Sequence, residues 1–202
     1  IFNQWNSGFK NTLLVLPTGT GKTVVFSKVV EEEVKDGSKA LILAHRGELL
    51  DQASDKLKLA SGLDSALEKA ESTSIGSPLN VTVASVQTLS QEKRLARFPR
   101  DYFKTIVVDE AHHSMSETYQ RILQHFDAAR VLGVTATPDR ADQKNLGQFF
   151  NSKAYEYSMH QAVKEGFLCP VRAQMIPLEL DIHSVGMSNG DYAVGEIGGA
   201  LE

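Results

Sequence analysis

The amino-acid sequence predicts an α/β domain whose mainly parallel, doubly wound sheet carries helices on both faces. Short runs of β-branched and other apolar residues alternate with longer segments of helical period along most of the chain. Polar or glycine-rich segments directly follow several of the predicted strands. Parallel α/β sheets hold ligands at the carboxyl ends of their strands, so these segments are candidates for a functional edge.

Apolar runs predict strands at residues 12–16, 40–44, 81–84, 105–108 and 130–134, with weaker candidates at 155–157 and 171–176. Helical spacing of apolar residues predicts helices at 22–36 and 47–59, and another with Tyr119, Ile122, Leu123 and Phe126 on one face. The serine-rich segment 61–78 is compatible with one short strand or with a surface excursion. We therefore predict one domain over residues 1–183, followed by a polar, glycine-rich linker at 184–202.

Composition excludes several classes of protein. The 202 residues carry 21 Lys and Arg against 25 Asp and Glu, a net charge of −4, with 42% hydrophobic residues. These values are those of a globular protein, and they exclude disorder, a collagen-like fibre and a mainly basic nucleic-acid binder. Any contact with phosphates must therefore use local patches.

The single cysteine, Cys169, excludes a disulfide framework and a cysteine-rich zinc site, and it favours a reducing compartment. No apolar run has the length of a membrane span, so we expect an intracellular, cytoplasmic protein. The chain starts at Ile1 and ends on a glycine-rich stretch, which we interpret as a piece of a longer protein.

A phosphate-binding loop is predicted at residues 17–23, Pro-Thr-Gly-Thr-Gly-Lys-Thr, between a strand and a helix. Its glycines allow a tight turn whose N–H groups point at one phosphate, and Lys22 can reach the β- and γ-phosphates. Thr23 supplies a hydroxyl ligand for Mg²⁺. The nucleotide-binding candidates are Thr18, Gly19, Thr20, Gly21, Lys22 and Thr23. Leu16 stands where the strict pattern has glycine, and the alternative is a simple turn with a solvated lysine.

A pair of carboxylates, Asp109 and Glu110, ends the strand predicted at 105–108. At this edge of a parallel sheet Asp109 can hold Mg²⁺, usually through water, and Glu110 can polarise the attacking water. Lys22, Asp109 and Glu110 are therefore the catalytic candidates, and Thr23 and Asp109 the metal candidates. The alternative is an exposed acidic strand end that caps a helix.

Three further polar patches follow predicted strands: Arg46 after the second, Thr88 after the third, and Thr135 with Thr137 after the fifth. Each has an ordinary structural explanation, namely a solvated helix start, a helix cap and a strand terminator. Their common position at one edge of the sheet favours a shared function.

The ordered motifs resemble those of the first RecA-like motor domain of superfamily 2 helicases of the DEAD/DEAH-box type. They are residues 17–23, 44–48, 85–88, 109–112 and 135–137. The Asp-Glu-Ala-His and Ala-His-Arg-Gly-Glu-Leu stretches are similar to the branch of type III restriction subunits and DNA-repair helicases. The resemblance covers roughly residues 10–180.

This resemblance implies roles for individual residues. It implies that Arg46 and Thr88 contact the nucleic-acid backbone. It also implies that His112 links the nucleotide site to the motif of Thr135 and Thr137.

At the level of function, the resemblance implies a motor domain that uses ATP and Mg²⁺ to move on, or to unwind, DNA in preference to RNA. The alternatives are a P-loop ATPase that remodels protein and a non-catalytic module that senses nucleotide or nucleic acid. The family also carries a second RecA-like domain with arginines that complete the ATPase site. That domain is missing here, so the isolated chain is expected to be nearly inactive.

Overall fold

Parallel β-strands organise residues 1–169, in a computed structural model that describes residues 1–44, 50–136, 143–170, 172, 187–188 and 191–192. Among these residues the sheet has seven strands: β1 Asn11–Val15, β2 Ala40–Ala44, β3 Ser65–Glu68, β4 Val81–Ser85, β5 Thr105–Asp109, β6 Arg130–Thr135 and β7 Ser152–Glu156. Their order is β3-β4-β2-β5-β6-β1-β7, and every pairing is parallel. The predicted α/β class is confirmed.

Among the described residues, helices connect most of the successive strands, and two more precede and follow the sheet. They are α1 Phe2–Asn6, α2 Lys22–Glu33, α3 Leu50–Ser61, α4 Val86–Leu89, α5 Glu92–Leu95, α6 Glu117–His125, α7 Gln143–Phe149 and α8 Met159–Lys164, with a 3₁₀ turn at Ala111–Met115. None of the helices in the described ranges is long and apolar enough to cross a membrane. The strand predicted at 171–176 and the start of the helix predicted at residue 47 fall outside those ranges.

Apolar side chains cover the sheet on both faces, as predicted. In β5, Ile106 and Val108 pack with α4 and α6 residues on one side, while Val107 packs with α2 and α3 residues on the other. This alternation follows from the two-residue period of a strand and explains why the central residues 106–108 are all apolar. The predicted buried face of α6 is confirmed, since Tyr119 and Ile122 are fully buried.

The carboxyl ends of the central strands lie level with one another. Val15 pairs with Thr135, and Asp109 pairs with Val134 on the other side of β6. At the far end of the same edge, Ala44 in β2 pairs with Ser85 in β4. Neighbouring strands are about 4.8 Å apart, so β4, β2, β5, β6 and β1 place their terminal motifs side by side along one edge.

The ambiguous segment 61–78 contains the short edge strand β3 and a turn held by a buried ion pair. Glu68 is fully buried and pairs with Arg94, whose Nη2 also donates to the carbonyl oxygens of Lys69 and Ser72 at 2.8 and 2.5 Å. The other oxygen of Glu68 accepts the backbone N–H of Ser74 at 2.6 Å. These hydrogen bonds satisfy the buried charges and fix the turn against the body of the domain.

The remaining residues, 170–202, form a second compact unit by themselves. Within it, Met187–Ser188 (β8) and Asp191–Tyr192 (β9) pair antiparallel. The predicted linker at 184–202 therefore contains two short paired strands, and the domain boundary at residue 183 stays a prediction.

Candidate functional site

The loop between β1 and α2 has the shape of an anion cradle. Gly19 and Gly21 have φ angles of 86° and 91°, values that only glycine adopts without strain. Gly21 is the N-cap of α2, a helix of twelve residues. The N–H groups of the first turn of this helix and the positive end of its dipole therefore face the loop. The Thr20 hydroxyl donates to the Pro17 carbonyl at 2.7 Å and closes the turn. This backbone conformation is compatible with the predicted phosphate-binding loop, which stays a prediction.

Lys22 lies in the first turn of α2 and points across the sheet edge. Its Nζ is 3.5 Å from Oε1 of Glu110, and only 12% of its side chain is exposed. The strand order accounts for this contact, because only β6 lies between β1 and β5. The structure thus brings the predicted lysine and the predicted water-polarising carboxylate together.

Glu110 has a strained backbone at the end of β5. Its φ of 52° is the only positive value of a residue other than glycine in the described part of the chain. Such a conformation costs of order 1 kcal/mol or more, and it is typical of functional sites. Ala111, directly after it, is fully buried, and a Cβ built on Gly133 would lie 3.0 Å from that of Ala111 and 2.4 Å from the Phe150 ring. This tight packing fixes the turn that aims Glu110.

A cavity of about 130 Å³ opens beside the two carboxylates. It is lined by Thr23, Phe26, Ala44, Gln52, Ala53, Lys56, Asp109 and Glu110. The hydroxyl of Thr23 and the carboxylates of Asp109 and Glu110 are the hard oxygen donors that suit Mg²⁺. The predicted metal ligands, Thr23 and Asp109, therefore share one cavity and fit that ion.

Sequence reasoning missed the α3 contribution to this cavity. Gln52 and Lys56 are one helical turn apart, so their side chains share the face that lines the cavity with Ala53. The sequence contained a signal for this contribution, because Gln52 and Lys56 form a polar i, i+4 pair beside Leu57, which is buried. Such a pair is typical of a helix face that is partly covered.

Burial is the main influence on Asp109 and raises the pKa of its carboxyl above the ordinary value, and the Glu110 carboxylate raises that pKa further. The backbone N–H of Glu110, which donates to Asp109 Oδ1 at 3.0 Å, and the charges of Lys22 and Lys56 oppose this rise only in part. Ionised Asp109 therefore costs folding free energy at neutral pH and supplies the ligand that a cation would neutralise.

Asp109→Asn is accordingly expected to raise the melting temperature at pH 7 while weakening Mg²⁺-dependent nucleotide binding. A raised native pKa means that the folded state holds its proton more tightly than the unfolded state. The cost of ionisation is complete above the native pKa and disappears as the pH falls towards the unfolded value of about 3.9. The melting temperatures of the wild type and of Asp109→Asn, measured from pH 8 downwards, should therefore converge. A gap that is constant with pH would show that the ionised carboxylate carries no such cost.

His112 lies between the carboxylate and the end of β6. Its Nδ1 is 3.5 Å from Glu110 Oε2 and 3.4 Å from Thr135 Oγ1. Thr135 is fully buried, so the imidazole connects the edge of the site to a fixed point in the sheet. The structure thus places together the two described residues predicted to couple the site. Their predicted companion, Thr137, lies outside the described residues.

The predicted nucleic-acid residues belong to the other half of the edge. Thr88 is half-buried in α4, directly after β4, where the Ser85 hydroxyl donates to Gln87 Oε1 at 2.9 Å. The strand order puts β2 and β5 between β4 and β6. Arg46, predicted at the end of β2, lies outside the described residues. The nucleotide candidates and Thr88 therefore occupy separate stretches of one continuous edge.

Comparison with known families gives a match over most of this unit. The family model described as "Type III restriction enzyme, res subunit" matches residues 1–140. The chain belongs to this family. Membership of this family places the chain among the superfamily 2 helicases, as the first RecA-like domain of their restriction and repair branch.

Relatives that are more than 30% identical to this chain include proteins named as a helicase and as a translocase. The putative ATP-dependent helicase IRC3 of Saccharomyces cerevisiae is 32% identical over 94% of the chain and 29% of its own length. The DNA 3'-5' translocase XPB2 of Sulfurisphaera tokodaii is 31% identical over 67% of the chain and 29% of its own length. The chain therefore spans less than a third of each of these relatives.

A solved structure supports the fold. The Hef helicase domain of Pyrococcus furiosus superposes with a TM-score of 0.62 over 74% of the chain and 35% of its own, at 24% identity. The RecA-like architecture expected from the sequence is confirmed, and the family relationship gives a helicase-type ATPase domain.

Proposed function

We propose that this domain binds ATP with Mg²⁺ and hydrolyses it as one half of a motor that moves on DNA. The observation that carries the proposal is the meeting of three strand ends. The phosphate-binding loop after β1, Asp109 and Glu110 after β5, and Thr135 at the end of β6 lie side by side, with Lys22 and Glu110 in contact.

Each residue of this cluster has a chemical task in the proposal. The loop N–H groups and Lys22 bind the β- and γ-phosphates, and Thr23 and Asp109 would hold Mg²⁺. When bound, Mg²⁺ supplies positive charge beside the transferred phosphoryl group. Glu110 orients the attacking water, because its carboxylate stands at the rim of the same cavity and remains 43% exposed.

Coupling to nucleic acid runs along the strand edge. Thr88, with Arg46, is proposed to contact the phosphate backbone, which makes binding sensitive to salt and tolerant of sequence. His112 contacts both Glu110 and Thr135, so a shift of the β6 end would move the carboxylate. DNA is favoured over RNA because XPB2 of Sulfurisphaera tokodaii is named as a DNA translocase and the family is that of restriction subunits, although another archaeal relative is named as a putative RNA helicase.

Nucleic-acid-stimulated ATPase distinguishes this proposal from its alternatives. We expect the full-length protein to hydrolyse ATP faster with DNA, and His112→Ala to lose most of that stimulation while keeping its basal rate. His160→Ala, an exposed histidine in α8, is the matched control and should behave as the wild type. Stimulation by an unfolded protein but not by DNA would favour a protein remodeller. Nucleotide binding without any turnover would favour a sensor.

A further inference from the structure

Four basic side chains outside the nucleotide site are exposed and form no ion pair with a residue of the described ranges. They are Lys93 in α5, Arg97 and Arg100 just after it, and Arg121 in α6. Most other exposed lysines of the domain, by contrast, pair with a carboxylate. In a chain with a net charge of −4, this concentration of uncompensated positive charge marks a binding surface for anions.

Two of the four basic residues border an open cavity of about 620 Å³ between α5 and α6. Arg100, Arg121 and His125 line the cavity together with one carboxylate, Glu92. Hydrogen bonds to backbone carbonyls fix two of these side chains. Arg121 Nη1 donates to the Ser90 carbonyl at 3.1 Å, and His125 Nε2 donates to the Phe98 carbonyl at 2.8 Å. The other N–H groups of the Arg121 guanidinium can bind a ligand while this hydrogen bond to Ser90 is kept.

One of the basic residues is tied to the helix that carries the proposed nucleic-acid contact, Thr88. Ser90, which anchors Arg121, is the C-cap of α4 and lies two residues after Thr88. A strand that contacts Thr88 through its phosphates and continues in the direction of α5 would meet the four basic residues next.

We propose that Lys93, Arg97, Arg100 and Arg121 form a second phosphate-contacting surface, which binds the nucleic-acid backbone beyond Thr88. This inference rests on the proposed function. A protein partner fits less well, because the large apolar groups here, Leu95 and Phe98, are buried at 5% and 2% exposure. The surface thus offers charge without the exposed aromatic or aliphatic anchors that protein interfaces use.

The test is the salt dependence of DNA binding by the full-length protein, measured with a labelled duplex that carries a single-stranded overhang. The variant Lys93→Gln, Arg97→Gln, Arg100→Gln removes three exposed charges that form no ion pair in the described ranges. Each lost phosphate contact flattens the plot of log K against log salt by about 0.9, so we expect a slope shallower by about 2 to 3. Arg121→Gln alone should flatten it by about 1.

The matched control removes three exposed charges elsewhere, with Lys10→Gln, Lys153→Gln and Lys164→Gln. It should leave the slope unchanged, and both triple variants should bind nucleotide as the wild type does. A wild-type slope in the first variant, or equal flattening in the two, would overturn the second surface and leave the motor assignment standing. Failure of the wild type to bind any nucleic acid would overturn both.

Discussion

Glu110→Gln is expected to reduce ATP turnover by the full-length protein about 10²- to 10⁴-fold, the contribution that a positioned general base makes. Gln keeps the size of the side chain and one acceptor oxygen, but it loses the negative charge that orients and polarises water. The structure limits the change to this charge, because packing around Ala111 and Gly133 fixes the turn. Steady-state ATPase assays measure the effect.

The nucleotide affinity of Glu110→Gln should not fall together with its ATP turnover. Glu110 pairs with Lys22 at 3.5 Å, so the phosphates must compete with this carboxylate for the lysine. Removing its charge frees Lys22, and the dissociation constant should stay equal or decrease. Glu117→Gln, an exposed glutamate at the start of α6, is the matched control and should turn over normally. If Glu110→Gln loses affinity and turnover together, the side chain is structural and its assignment as the base is wrong.

The strands could be predicted because they are apolar on both faces. β2 matches its predicted bounds, and the other central strands differ by one residue at one or both ends, since an unbroken apolar run needs two covered faces. The edge strand β3 could only be offered as one of two options. Its stability depends on a buried pair between Glu68 and Arg94, residues 26 positions apart, and no local pattern predicts such a contact.

The site could be predicted as far as its residues follow strands directly. Adjacency of the phosphate loop, Asp109 and Thr135 depends on the strand order β5-β6-β1, which the sequence does not state. The left-handed backbone of Glu110 could not be predicted either, because the sequence gives no indication of a positive φ at a residue other than glycine. Leu16, the departure from the strict loop pattern, is 6% exposed and packs in the core with Phe26, so this position serves packing in this chain.

Lys22→Ala is expected to weaken ATP binding about 10- to 150-fold. A hydrogen bond to a charged group contributes about 1.5 to 3 kcal/mol, and the largely buried Lys22 ammonium is poorly screened by water. The variant also leaves the Glu110 carboxylate facing the phosphates without its counter-ion, so repulsion adds to the lost attraction. Titration with a fluorescent nucleotide measures the change. Lys28→Ala, an exposed lysine on the same helix paired with Glu31, is the control and should leave affinity unchanged.

The double variant Lys22→Ala, Glu110→Gln separates the two contributions. If the carboxylate repels the phosphates more strongly once Lys22 is gone, Glu110→Gln should tighten ATP binding by a larger factor in the Lys22→Ala background than in the wild type. Residues in one ion pair are expected to be non-additive in this way, and the coupling measures the Lys22–Glu110 contact at 3.5 Å. Strict additivity would mean that the two side chains do not share the phosphate site. Wild-type affinity in Lys22→Ala would reject the phosphate-binding loop itself.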